Sequence, residues 1–477
     1  MPTTPSPLAN FAAFLVGACL CLGGCQSADS KARHAYNDYQ TAIAANDMPG
    51  ARKALLTLVS VQDNVPENWV ELGKVQASTG AYGDALFAFT RAYELNRRDP
   101  EILRSVIELN MRTGDLTTAQ QRVRELEVIA PGDSWIKLAD GYVALKQLRF
   151  DEAQAAADAM LATSPSDSNS KVLKARALMG LSRPDEALAL LTAQIAAQPN
   201  DVGSLLLAEK IYEQRSDWPR VAEIARRLIE LTPDNREMAF QLISASLRSG
   251  KPAVARQASL RLLQPATDPA IITSVLDIWA EYWPSPQRMS DARALGSAAL
   301  RLDQKLAYAA FLNRVGDPAG AMALIGSATT LPVTADNVQA NAVRAEALSR
   351  GGKNGQAAAL FDAVLSYDSG NPTALRGRAA QRLRTGQAKD ALPDAQKLVS
   401  VLPKSAADRI LLARCYTAVG DQALAERTLW DGFHDIPGND ILFLALKQGK
   451  RGNVDAIASL TEEYSQQRNA ELYRGLL

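Results

Sequence analysis

Few residues of this sequence are of a type and spacing that could do chemistry. Three of its four cysteines, Cys19, Cys21 and Cys25, fall within seven residues, a density that suits a metal or redox cluster. A zinc site, however, needs a second pair of ligands, and these cysteines lie in or beside the apolar run Phe11 to Leu22. The two histidines, His34 and His434, stand 400 positions apart. The acidic pairs Asp151-Glu152, Asp185-Glu186 and Glu462-Glu463 offer the residue type that glycoside hydrolysis needs. The first two pairs open expected helices, where carboxylates complement the helix dipole instead. Cys415, in "LLARCYTA", sits mid-helix among apolar residues and reads as an inert buried thiol. No G-x-S-x-G, H-E-x-x-H, P-loop or G-x-G-x-x-G occurs. The expectation is therefore no catalytic residue, no metal and no cofactor.

Composition narrows the remaining classes. Lys plus Arg number 52 and so do Asp plus Glu, which leaves the 477-residue chain without net charge. A dedicated nucleic-acid binder needs a basic surface to displace counterions from phosphates, so that class is excluded. Apolar residues make up 47% and aromatics only 6%, with alanine and leucine dominant, a balance that favours helices over sheet. Beyond residue 25 the only cysteine is Cys415, so internal disulfides do not staple the body of the chain. No later apolar run reaches the roughly 18 residues that would span a bilayer.

The cysteine-rich stretch reads best as a processing signal. "FAAFLVGACLCL", Phe11 to Leu22, has the length of a signal h-region and is too short for a transmembrane helix. The chain turns polar directly afterwards at Gln26-Ser27-Ala28-Asp29. Leu22-Gly23-Gly24-Cys25 resembles the lipobox of bacterial lipoproteins, although the preceding "MPTTPSPLAN" lacks the basic residue usual in secretory signals. The resemblance implies cleavage between Gly24 and Cys25 and lipidation of Cys25, with residues 1–24 a signal peptide and 25–31 a tether. An ordinary apolar leader, uncleaved or conventionally cleaved, is the alternative. Gln26 after the cysteine, in place of Asp, implies by the same analogy an outer-membrane anchor facing the periplasm.

Residues 32–477 are organised by an internal repeat. Pro131, Pro165, Pro199 and Pro233 are each 34 residues apart. Ala51, Ala85, Ala119, Ala153, Ala187 and Ala255 follow the same period, with Val221 filling the gap. The ladder resumes at Ala357, Ala391 and Ala425. In "NWVELGKVQASTGAYGDALFAFTRAYELN", Trp69, Leu72, Val75 and Gln76 mark one face of a first helix, and Gly73 is small enough for a partner helix to approach. Gly80 suits a left-handed helix end, and Ala85, Phe89 and Ala92 stripe a second helix. Proline closes many units, and the polar residues after it, Asp133, Ser166, Asn200, Asp234 and Ser405, are expected to cap the next helix. Such a hairpin cannot bury its apolar faces alone, whereas a stack of them can.

A 34-residue helical hairpin with Trp69, Leu72-Gly73, Gly80, Tyr82, Ala85, Phe89 and Ala92 resembles the tetratricopeptide repeat (TPR). The first Tyr of that pattern is Gln76 here. Gly141, Phe150, Ala153 and Pro165 carry the pattern in another unit, as do Tyr416, Gly420, Ala425 and Pro437. The resemblance implies an all-α, right-handed α-solenoid of about thirteen hairpins. The ladder slips between Leu263 and Leu302, where Trp279, Tyr282 and Trp283 precede two prolines. Helix packing is the favoured reading of these aromatics over a ligand platform. The expected organisation is an N-terminal block 32–265, a degenerate hairpin 266–303, and a C-terminal block 304–477 with capping helices.

TPR arrays bind partners on a concave wall formed by first helices. Lys74, Glu108, Tyr142, Arg176 and Lys210 share one repeat position and are the candidate binding face. The asparagine expected there in carboxylate-clamping members is absent, so the ladder suits an acidic peptide, an anionic polysaccharide or a merely solvated face. The resemblance as a whole implies a non-enzymatic protein–protein interaction scaffold. Its partners would be envelope proteins and, through the lipid, the membrane, in a machine such as pilus or secretin assembly, outer-membrane assembly or exopolysaccharide export. The alternatives are a glycan-binding protein or a glycan-processing enzyme.

Overall fold

The computed structural model describes residues 28–233 and 235–476; the leader, Gly24 and Cys25 lie outside the described residues. Among the described residues there are 26 α-helices and no strand; most consecutive helices pair as hairpins, whereas Pro269–Tyr282 and Pro286–Ala298 both pack against Leu302–Arg314 rather than against each other. Two compact units arise, one ending at Leu190 and the other starting at Leu191, a boundary that falls inside the helix Pro184–Ala197. Each unit is a helical solenoid.

The repeat period fixes the backbone at each joint. Gly80 has φ of 78°, and the residues 34 apart from it are left-handed too, from Asn46 at 54° to Gly250 at 72°. Four members of that series are not glycine: Asn46, Leu148, Ser182 and Ser216. The closure of the hairpin imposes the conformation, whichever side chain stands there.

Helix starts obey the same register, with one correction to the sequence-based expectation. Asp133 and Ser405 cap their helices as expected, accepting from the amides of Trp135 and Asp408. The next cap is Asp167 rather than Ser166, and the following one stands at Asp201 rather than Asn200. Asn235 likewise caps its helix, while Asp234 is outside the described residues. In every case the cap is two residues after the proline, because one further turn residue must pass before the chain enters the helix.

Packing both within a hairpin and between neighbouring hairpins depends on small residues. A Cβ at Gly73 would lie 2.5 Å from the Phe89 ring, and one at Gly377 would lie 2.5 Å from Phe361. The ladder alanines Ala51, Ala85, Ala119, Ala153 and Ala255 are fully buried. Where the ladder slips, Ala292 is the seventh residue of Pro286–Ala298, whereas Ala321 is the fourth of Pro318–Ile325, as Ala85 is in Tyr82–Leu95. A shift of about one turn along the helix keeps Ala292 facing inward. Trp279 and Trp283 pack edge-to-face at 5.0 Å inside the second unit's core, and the Trp279 indole donates to Ser259 Oγ at 2.8 Å. These two aromatics are structural, as helix packing requires.

Candidate functional site

The five residues of the expected binding face all lie on first helices, and the structure brings them into separate arrangements. Lys74 and Glu108 line one cleft of about 440 Å³ in the first unit, together with Tyr82, Phe89 and Arg112. Lys74 pairs with Glu71 at 2.7 Å and Glu108 with Arg112 at 3.3 Å. Arg112 also lies over the Tyr82 ring, 5.2 Å from its centroid. A neighbouring cleft of about 450 Å³ shares Lys74 and Phe89 and runs past Glu67, Glu71 and Asp99. Tyr142 and Arg176 form a pair of their own, the guanidinium 5.7 Å from the ring centroid. Burial pushes the Tyr142 hydroxyl up and the Lys146 ammonium down, with the charges of Arg176 and Arg112 adding to the second shift. Arg112, Lys146 and Arg176 thus turn positive charge toward one region of the first unit.

Lys210 belongs to the second unit. It pairs with Glu213 at 3.2 Å and borders a cleft of about 600 Å³. This cleft lies between the helices that carry Lys210, Trp218, Arg248 and Glu281 and the last hairpin, which contributes Asp440 and Arg468. Arg248 lies over Trp218, 3.4 Å from the ring centroid, and 4.8 Å from that of Tyr282. This arginine stands off the Lys74 ladder, so that period gives no signal for it. One turn further on, Arg112, Lys146 and Arg248 share a second position of the same period. Tyr82 and Trp218 likewise share the position that opens the second helix, and each lies 30 residues before the arginine that covers it.

The residues considered for chemistry have structural duties. Glu152 pairs with Arg149, Glu186 takes both arms of Arg183 at 2.6 Å, and Glu463 meets His434 at 3.0 Å. Cys415 is fully buried, and burial pushes its thiol up. Among the described residues, no group of three or more His, Cys, Asp or Glu is placed to hold a metal. Nor is any helix of the described residues long and apolar enough to cross a membrane.

With this geometry established, residues 137–272 match the family described as Psidin, N-terminal TPR repeats region. The repeats of this segment are tetratricopeptide repeats. Solved structures resemble the chain at low identity. A tetratricopeptide repeat protein from Parabacteroides merdae is 14% identical with a TM-score of 0.37, covering 52% of this chain and 98% of its own. The protein of the work "Functional Characterization of Pseudomonas Aeruginosa pilF" is 12% identical with a TM-score of 0.33, covering 46% and 98%. MamA protein is 16% identical with a TM-score of 0.31, covering 35% and 92%. No curated protein matches the chain. A TPR-like fold suggests a protein–protein interaction scaffold, and first-helix side chains line its clefts.

Proposed function

We propose that this protein is a non-enzymatic scaffold, tethered through lipid on Cys25 to the periplasmic side of the cell envelope, where it assists assembly or operation of an envelope complex. The observation that carries the scaffold reading is the series of polar clefts along the first helices, each of about 440 to 600 Å³. A rigid repeat array presents such clefts without ordering cost at binding, which favours capture of extended peptide segments. The "LGGC" motif and the polar switch at Gln26 support the anchor. A lipoprotein carries several acyl chains, enough for stable retention where a single chain is marginal.

Crosslinking in cells followed by mass spectrometry tests the scaffold reading. Specific envelope proteins joined to residues near Lys74, Arg176 or Lys210 are expected, and recovery of only polysaccharide would replace that reading with a glycan-binding one. For the anchor, Cys25→Ser is expected to abolish palmitate labelling and release the chain from membranes. Persistent labelling would remove Cys25 as the attachment point.

A further inference from the structure

The second unit holds an arginine that is stacked in place yet meets no acid among the described residues. The Arg248 guanidinium lies over both the Trp218 and the Tyr282 ring, at 3.4 and 4.8 Å from their centroids. Stacking of this kind fixes the plane of the group and leaves its in-plane N–H donors for a carboxylate. None of the described carboxylates comes within 4.0 Å of it, although Arg248 stands at the edge of a cleft of about 600 Å³.

The repeat supplies an internal control. Arg112 occupies the same repeat position over Tyr82, and its charge is met by Glu108 four residues earlier. The residue four before Arg248 is Ser244, which cannot do this. The cleft's other cations are engaged, Lys210 with Glu213 at 3.2 Å and Arg468 with Asp440 at 3.6 Å. Glu281 sits beside Tyr282, where burial and this carboxylate push the phenol up to about 12.

We propose that Arg248 is the anchor for an aspartate or glutamate side chain of a partner protein, received as a bidentate pair in this cleft. The proposal rests on the scaffold reading above and names the chemistry of its partner. A peptide fits better than a sugar acid, because Arg248 already occupies faces of both aromatic rings on which a sugar would stack. Ile441, exposed on the cleft wall, offers an apolar contact to a residue flanking the acid. A carboxylate bound to a held guanidinium gains a charge-assisted pair at low entropic cost.

The test is selection of randomised dodecapeptides on the full-length chain, followed by binding measurements with the enriched peptides. Enrichment of peptides carrying Asp or Glu is expected. Their affinity should fall at least tenfold with Arg248→Ala, and equally when the acid is replaced by its amide. Ser244→Glu should also weaken them, by supplying the internal partner that Arg112 has, and it leaves Arg248 and its aromatic clamp intact should Arg248→Ala perturb the fold. No enrichment, or acidic peptides indifferent to both variants, would overturn the proposal. Polygalacturonate that binds through Arg248 while no acidic peptide does would overturn it in favour of a sugar acid. Crosslinked protein partners that persist in cells with Arg248→Ala, alongside indifferent peptides, would leave the scaffold reading standing and this inference refuted.

Discussion

Glu209 stands at the repeat position that glycine holds at Gly73 and Gly141, and it is fully buried. Neither carboxylate oxygen has a hydrogen-bond donor, and the nearest cation, Lys210 Nζ, is 3.9 Å away. Glu213 on the same helix and Glu237 on Arg236–Arg248 add repulsion. Burial, opposed by Lys210, pushes its pKa up to about 7. A raised carboxyl pKa means the folded state keeps a proton that the unfolded chain releases above its ordinary value near 4.5. Stability is therefore lost as pH rises from about 5 through 7, by about 3 kcal/mol at most. Glu209→Gln should gain on the native chain by that amount between pH 5 and 8 in denaturant titrations; a constant difference across pH would exclude the effect. Asp408 shows the opposite solution to burial. It too is fully buried, but Arg376 meets both its oxygens, at 2.6 and 2.7 Å. Arg376→Met should cost about 3–5 kcal/mol by leaving that carboxylate buried and unpaired, measurable as a lowered unfolding midpoint.

Among elements, the hairpin joints were legible from glycine and proline spacing, yet the spacing alone hid their uniformity. Gly80 announced a left-handed residue, whereas Leu148 at the equivalent position gave no signal and adopts φ of 60° all the same. Leu148 is 59% exposed, so it gains little packing in return for that conformation. Leu148→Gly should stabilise the chain by about 1 kcal/mol, read as a raised melting temperature, since a left-handed L-residue costs about 1–2 kcal/mol. A lowered melting temperature would show that its side chain has packing value in the joint. The caps teach a related lesson. Proline marked each approach, but both residues after it are often polar, as in Ser166-Asp167 and Asn200-Asp201, and backbone geometry selects the second.

For the whole molecule, a repeat array divides stability among neighbours, so each hairpin is as firm as the faces it shares. The hairpin Pro372–Arg384 with Ala388–Val401 is flanked on both sides and tied internally by Arg378, which meets Asp394 at 2.6 Å. The helix Asp440–Gly449 in the final hairpin leaves Ile441 and Leu444 exposed. Hydrogen exchange should therefore be faster in Asp440–Gly449 than in Pro372–Arg384, by at least tenfold. Equal protection would indicate that a partner or a second contact covers the last hairpin.

The sequence by itself determined the fold class and the first-helix location of Lys74, Glu108, Tyr142, Arg176 and Lys210, because a 34-residue period records which faces must be buried. It could not say which of these residues share a cleft, since side chains one period apart meet different neighbours. Lys74 and Glu108 share one, Tyr142 and Arg176 stack together, and Lys210 borders another cleft in the second unit. That cleft combines helices near residue 210 with a hairpin near residue 440, a contact across more than six periods that no local pattern encodes. Arg248 lies off the Lys74 ladder, and only the folded second unit places it over Trp218 and Tyr282 with no described carboxylate within 4.0 Å.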